Sequence, residues 1–231
     1  MAPPGPDCGL AAPCPIPPLA EDRSMQTGYV ATYERIAPLY DFLDKGYEVL
    51  WKSRLRTLTF QGTSGAILDA GAGTGCNMPF YPRGARVTAV DASPRMLDRA
   101  RKRAAKMGLD VAIEVRDLTD TGLPDASFDH IVATFVFCVL PEHLIQPALT
   151  EMARILKPGG TIRILDYTES SHPAAKVWMR VVGPWLNWAF GARYNASYES
   201  VLPHTGLELI ERRFVFGDSV KLLVAQPRVT A

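Results

Sequence analysis

Two short runs hold residues whose types and spacing suggest chemistry. The first, AILDAGAGTGCN over residues 66–77, places Asp69 just ahead of Gly71, Gly73 and Gly75. Glycines at that density allow positive φ and remove the Cβ atoms that would hold a ligand off the backbone, so the loop can touch what it binds. The second run, VTAVDAS from position 87, is apolar until Asp91 and continues into Ala92 and Ser93. A carboxylate next to such a loop can accept both hydroxyls of a ribose. Together the runs describe a nucleoside site. A dinucleotide fingerprint would need G-x-G-x-x-G, and Cys76 stands where its third glycine should fall, so the hydride-transfer reading loses the glycine that packs helix on strand.

Those residues need elements to position them. Ile67 and Leu68 end a short apolar run of the kind that forms a buried parallel strand running into the glycine loop. A strand over 85–90 precedes a helix over 93–107, with Ser93 as N-cap and Pro94 at the first position. Residues 111–115 alternate as a strand leading to Arg116, Asp117 and Leu118. HIVATFVFCVL reads as one continuous strand running on past Thr134, with 134–138 as its carboxyl end. A helix over 142–156 stops at KPGG, and a strand over 161–167 brings Asp166 and Tyr167 to the ligand edge. Two alternating strands, 207–216 and 220–225, flank the turn at Gly217 and Asp218. Strands alternating with helices predict a doubly wound α/β sheet.

Taken in order, LDAGAGTG, VDASPRML, VRDLTD, LPDASFDHIVATFVF and ARILKPGG resemble the class I S-adenosylmethionine-dependent methyltransferases, and the likeness runs over residues 32–227. The resemblance implies a Rossmann-like, seven-stranded, mostly parallel sheet with an antiparallel C-terminal strand and a helical cover, S-adenosylmethionine as cofactor, and no metal. It assigns Asp69, Gly71, Ala72, Gly73, Gly75 and Asn77 to the amino-acid end of the cofactor. Asp91 and Ala92 fall to the ribose, Met96, Asp117 and Leu118 to the adenine, and Thr134 to the floor under the sulfonium. YERIAPLYDFLD is similar to the amino-terminal cover of the ubiquinone and menaquinone C-methyltransferases and of bacterial phospholipid N-methyltransferases, which nominates Tyr33 and Tyr40.

If the acceptor needs a proton removed, Asp166 is the first candidate base, with Tyr40 beside the reaction and His143, His172 and His204 behind it. Many relatives read Glu-His where this chain has Asp166 and Tyr167, so a mechanism built on that histidine does not carry over. The resemblance points to three acceptor types: a quinol ring carbon, a lipid head-group amine and a thiol. A lipophilic small molecule or lipid head group ranks first. A catalytically silent adenosyl-binding subunit that supports a partner enzyme is the reading from another class.

At 231 residues and 47% hydrophobic content, the chain suits one α/β domain over 25–231. A net charge of +1 gives no basic field to draw nucleic acid. The opening 24 residues are proline-rich and without period, which reads as a disordered leader. That leader lacks the marks of a secretory signal, so the cytoplasm is expected. Cys8, Cys14, Cys76 and Cys138 lack C-x-x-C spacing, which argues against structural zinc. The last two are expected on or beside the pocket. Arg95, Arg99, Arg101, Lys102, Arg103 and Lys106 read as a solvated helix face. Trp178, Trp185, Trp188 and Phe190 form an aromatic stretch suited to a lid and to peripheral membrane contact, with Arg180 and Arg193 placed to meet a phosphate.

Overall fold

Apolar alternation in the centre of the chain builds a sheet covered on both faces. The computed structural model describes residues 52–173 and 198–228, together with positions 176, 177, 180, 181, 183 and 193. The leader, Tyr33, Tyr40 and the aromatic stretch at Trp178, Trp185, Trp188 and Phe190 lie outside the described residues.

The strands are β1 (Ala66–Ala70), β2 (Arg86–Asp91), β3 (Ala112–Val115), β4 (Phe128–Thr134), β5 (Leu156–Tyr167), β6 (Leu207–Phe216) and β7 (Val220–Pro227). They form one seven-stranded sheet in the order β3-β2-β1-β4-β5-β7-β6. The first five pair in parallel, and β7 enters antiparallel to both β5 and β6. The helices whose bounds lie within the continuously described residues are α1 (Ser53–Phe60), α2 (Pro94–Met107), α3 (Glu142–Ile155) and α4 (Tyr198–Val201). This is the doubly wound architecture expected from the motif order.

Every residue of β1 is buried, as a central parallel strand requires. Successive side chains go to opposite faces. Leu68 and Ala70 join Ile145, Leu149 and Met152 of α3, while Ile67 meets Phe60 of α1 with Val87 and Val132. Each such side chain contributes about 1.5–3 kcal/mol on burial. Arg163 of β5 fastens α1 by donating to the Thr59 carbonyl at 3.2 Å and the Gln61 carbonyl at 2.5 Å. α2 starts as its sequence dictates: Ser93 Oγ accepts from Met96 N at 3.2 Å, and Gly108 in the left-handed region ends the helix. Met96, Leu97, Ala100 and Ala104 face inward, and Arg95, Arg101, Lys102 and Lys106 stand in solvent.

Two boundaries differ from the sequence reading. β4 stops at Thr134 because Phe135 turns left-handed (φ 57), after which Val139 and Leu140 donate back to the Val136 carbonyl in a helical turn. A run of apolar residues does not report that single dihedral. β5 begins at Leu156, directly after α3, and the KPGG segment is absorbed as an irregularity in its register with β4 between Phe128 and His130.

The loop after β3 is tied to α3 through Glu151, whose Oε1 accepts from Thr121 N at 2.9 Å and Thr121 Oγ1 at 2.5 Å, while Arg154 binds both carboxylate oxygens. Glu151→Ala leaves a buried N–H without its acceptor, a loss of about 2 kcal/mol. Thermal unfolding followed by circular dichroism is expected to show a midpoint lowered by about 4–8 °C.

Candidate active site

In an open α/β sheet, ligands bind where the strand order reverses, outside the carboxyl ends of the strands. Here the reversal lies between β1 and β4. A cavity opens at that point. One wall is the loop after β1, with Gly71, Ala72, Gly73, Thr74 and Cys76. A second is Asp91 and Ala92 from the end of β2, with Met96 of α2 and Leu118 of the β3 exit. Thr134, Phe135, Val136, Val139 and Leu140 form the third, and Lys52 and Arg56 of the α1 segment the fourth.

Gly71 has φ 71, and a Cβ there would lie 2.4 Å from Val136 Cγ2, so glycine alone lets the loop close onto the exit of β4. Gly73 has φ 54 and a Cβ on it would touch nothing, which leaves its backbone open to the cavity it lines. Asp91 locks this geometry. Its Oδ2 accepts from Gly73 N at 2.9 Å and its Oδ1 from Ser93 N at 2.9 Å. The carboxylate is therefore oriented before any ligand arrives.

Behind the loop lies a buried polar network. Asp69 is fully buried, with Oδ1 accepting from Asn77 Nδ2 at 2.6 Å and Oδ2 from the Tyr81 hydroxyl at 2.6 Å. Arg56 Nη1 donates to Asn77 Oδ1 at 2.6 Å and Thr134 Oγ1 at 2.7 Å. Burial pushes the Asp69 carboxyl up to about 6; the Tyr81 and Asn77 hydrogen bonds and the Arg56 charge act against it, and Asp91 acts with it. Phe135, whose left-handed backbone stores about 1–3 kcal/mol, has its ring 5.1 Å from that of Tyr167. Lys52 Nζ and Arg56 Cζ sit 5.0 Å and 5.5 Å from its centroid, a cation–π arrangement.

Not every residue nominated from sequence reaches the wall. Gly71, Ala72, Gly73, Asp91, Ala92, Met96, Leu118 and Thr134 do. Asp69 and Asn77 lie one layer behind it, turned toward each other. Gly75 also stands behind, where a Cβ would meet the Met78 side chain at 2.9 Å. Asp117 closes its own turn, accepting from Thr119 N at 2.7 Å and Thr119 Oγ1 at 2.8 Å. Asp166 requires a correction. It is fully buried behind the wall, where it accepts from Tyr167 N at 2.7 Å, from Cys138 N at 3.1 Å and from the Cys138 thiol. Burial raises its carboxyl to about 6. Its lone pairs hold the loop after β4 and are not presented to the cavity. His143, His172 and His204 are exposed and away from the wall. Cys76 lines the cavity, and Cys138 is buried behind it.

Lys52, Arg56 and Tyr81 were missed. Basic residues four apart on a short helix read as its solvated side, and only the neighbouring Leu55, Thr59 and Phe60 hinted that this face is buried. Nothing local marked Tyr81 as the partner of an acid twelve residues earlier.

The donor set suits a nucleoside with a charged tail: a fixed carboxylate, an open glycine backbone and apolar Met96 and Leu118 on one wall. Known proteins agree. The methyltransferase domain family matches residues 67–160. The phosphatidylethanolamine N-methyltransferase of Cereibacter sphaeroides is 36% identical over 185 residues, covering 78% of this chain and 88% of that protein. The demethylmenaquinone methyltransferase of Thermus thermophilus is 30% identical over 181 residues, 75% and 74% of the two chains. A solved methyltransferase from Methanosarcina mazei superposes with a TM-score of 0.60 at 18% identity, covering 74% of this chain and 95% of that one. The chain belongs to the S-adenosylmethionine-dependent methyltransferases. Its cofactor is S-adenosylmethionine.

The two loop glycines are expected to respond differently to alanine. Gly71→Ala combines a left-handed φ with a clash against Val136 and should lower stability by about 3 kcal/mol. Gly73→Ala carries only the backbone strain, about 1 kcal/mol. Calorimetric melting of both variants should show the first midpoint falling about three times as far as the second.

Proposed function

We propose that this chain transfers the methyl group of S-adenosylmethionine to the amine of a lipid head group. In this reading Asp91 takes the ribose hydroxyls, Met96 and Leu118 flank the adenine, and the open backbone at Gly73 meets the tail of the donor. Arg56, on the wall beside Thr134, is the counter-charge for the donor's carboxylate. The bound donor supplies an electrophilic methyl on a sulfonium. The protein's part is to hold the nucleophile in line with it and to exclude water, and positioning of that kind is worth up to about 7–11 kcal/mol.

One observation carries the acceptor half: the apolar residues Phe135, Val136, Val139 and Leu140 share their side of the cavity with the cations Lys52 and Arg56. A phospholipid presents both matching parts, a head-group phosphate for Lys52 and apolar chains for the wall. Two nearby cations also disfavour the protonated form of an acceptor amine, leaving the lone pair free to attack. The similarity to a phosphatidylethanolamine N-methyltransferase over most of its length supports this choice. Contact with a membrane surface is part of this reading; no described helix is long and apolar enough to cross a bilayer.

A quinol ring is the second reading, favoured by the demethylmenaquinone relative. Carbon methylation needs a base to remove a proton. Among the described residues the one carboxylate on the wall is Asp91, which this reading assigns to the ribose, and no histidine lines the cavity. The amine, which needs only to be neutral and well placed, suits this site better.

Two measurements test these assignments. Asp91→Ala is expected to raise the calorimetric dissociation constant for S-adenosylmethionine by about 10- to 100-fold, the loss of one or two charge-assisted hydrogen bonds; unchanged affinity would refute the ribose role. Incubation of the protein and methyl-labelled donor with vesicles containing phosphatidylethanolamine, and separately with a demethylated quinol, should place label in the N-methylated lipid. Label in the quinol alone selects the second reading.

A further inference from the structure

Tyr81 ends the 3-10 turn that follows the glycine loop, and its ring packs against Phe60 of α1 with centroids 5.4 Å apart. Packing alone would be served by phenylalanine. The hydroxyl instead reaches Asp69 Oδ2 at 2.6 Å, and the phenol is held strongly protonated by burial and by the adjoining carboxylate, so it stays a donor. Asp69 occupies the end of β1 directly beneath the loop, and the charges facing it are Arg56 from α1 and Asp91 from β2.

We infer that Tyr81 is a positioning residue for donor selectivity: by donating to Asp69 it keeps a full negative charge buried under the glycine loop, and that charge favours the cationic donor over its neutral thioether product. This rests on the proposed placement of the donor against Gly73 and Asp91. The physical reason is the reach of a buried charge. Between a carboxylate and a sulfonium several ångströms apart, at the effective dielectric of a protein interior, the attraction amounts to about a tenfold preference or more. S-adenosylmethionine carries that positive sulfur and S-adenosylhomocysteine does not. The α-amino group and carboxylate are common to both ligands, but the sulfonium lowers the pKa of the donor's amine, so each free ligand is titrated separately and its contribution removed from the ratio of the two affinities.

The sign follows from the direction of the shift. Asp69 has its carboxyl raised to about 6 even with the Tyr81 and Asn77 bonds opposing burial. It is charged above that pH and neutral below it, so the preference for donor is present at neutral pH and lost as pH falls. Removing the Tyr81 hydroxyl takes away one of the two donors that stabilise the charged form and moves the loss to higher pH.

The experiment is a titration of S-adenosylmethionine and of S-adenosylhomocysteine into wild-type, Tyr81→Phe and Asp69→Asn proteins from pH 5 to 8.5, with the ratio of the two dissociation constants as readout. Wild type should favour the donor at pH 8 and lose that preference around pH 6. In Tyr81→Phe the midpoint should rise by about one pH unit, the loss of one hydrogen bond to a charged group. Asp69→Asn should give a low and flat ratio. An unshifted midpoint in Tyr81→Phe, with Asp69→Asn flat, overturns the role of Tyr81 while leaving the donor site standing. An Asp69→Asn protein that keeps the wild-type profile shows that another group titrates and overturns the inference, while the placement of the donor is read separately from the Asp91→Ala affinity. The Tyr81→Phe titration is run below that protein's melting midpoint, and a wild-type ratio flat from pH 5 to 8.5 also refutes the inference.

Discussion

A carboxylate with no solvent exposure, set at the end of the central strand, has to be satisfied from within the protein, and the way Asp69 is satisfied organises its surroundings. Unpaired burial of such a charge costs several kcal/mol. Asn77 and Tyr81 supply the hydrogen bonds, and Arg56 supplies a compensating charge one residue further along through Asn77. The partners come from α1 and from the two ends of the 3-10 turn behind the glycine loop, so satisfying one acid draws α1 and that turn against the ends of β1 and β4. Thr134, at the last position of β4, closes the same network by bonding both Arg56 and Asn77. The floor of the cavity is thereby a rigid hydrogen-bonded layer.

The opposite wall uses a second buried acid to the same end. Asp166 accepts from the backbone at Tyr167 and Cys138, pinning the segment that turns away after β4. Phe135 begins that segment in a left-handed conformation uncommon for a bulky residue. Its strain is tolerated because Phe135 N keeps its ladder bond to the Leu165 carbonyl and the ring is held by Tyr167 and the cations of α1. Asp69, nominated in sequence for the cofactor, thus anchors the side chains of Asn77 and Tyr81, and Asp166, nominated as a base, anchors backbone; Asp91, itself anchored, is the one on the described wall that also faces the ligand space. Rigid supports behind a preset acceptor are what a reaction limited by alignment requires.

Legibility differed by the kind of feature. The glycine loop, the acid ending β2 and the cap of α2 were readable because each depends on a few adjacent residues with strong conformational preferences: φ above zero at Gly71 and Gly73, a strand-end carboxylate at Asp91, a serine–proline start at Ser93 and Pro94. The end of β4 was not, since Val136 and Phe137 favour strand as strongly as Val132 does and only the pull of Asp166 and Leu165 bends the chain at Phe135. Arg56 and Lys52 were unreadable for a related reason. A cation on a short helix is solvated or buried according to what the helix packs on.

The order of motifs by itself determined the fold class, the nucleoside loop and the donor, because a glycine turn between a buried strand and a helix, followed one strand later by an acid, leaves few ways to fold and few ligands to bind. Tertiary structure alone decided which acids face the cavity and which stand behind it, since each of Asp69, Asp91, Asp117 and Asp166 stands at or just beyond a strand end in the sequence and only their partners separate them. It also decided that Lys52 and Arg56, at the start of α1, and a phenol from beyond the loop belong to the site. Those contacts join segments far apart in the chain, and no local preference encodes a distance that only packing closes.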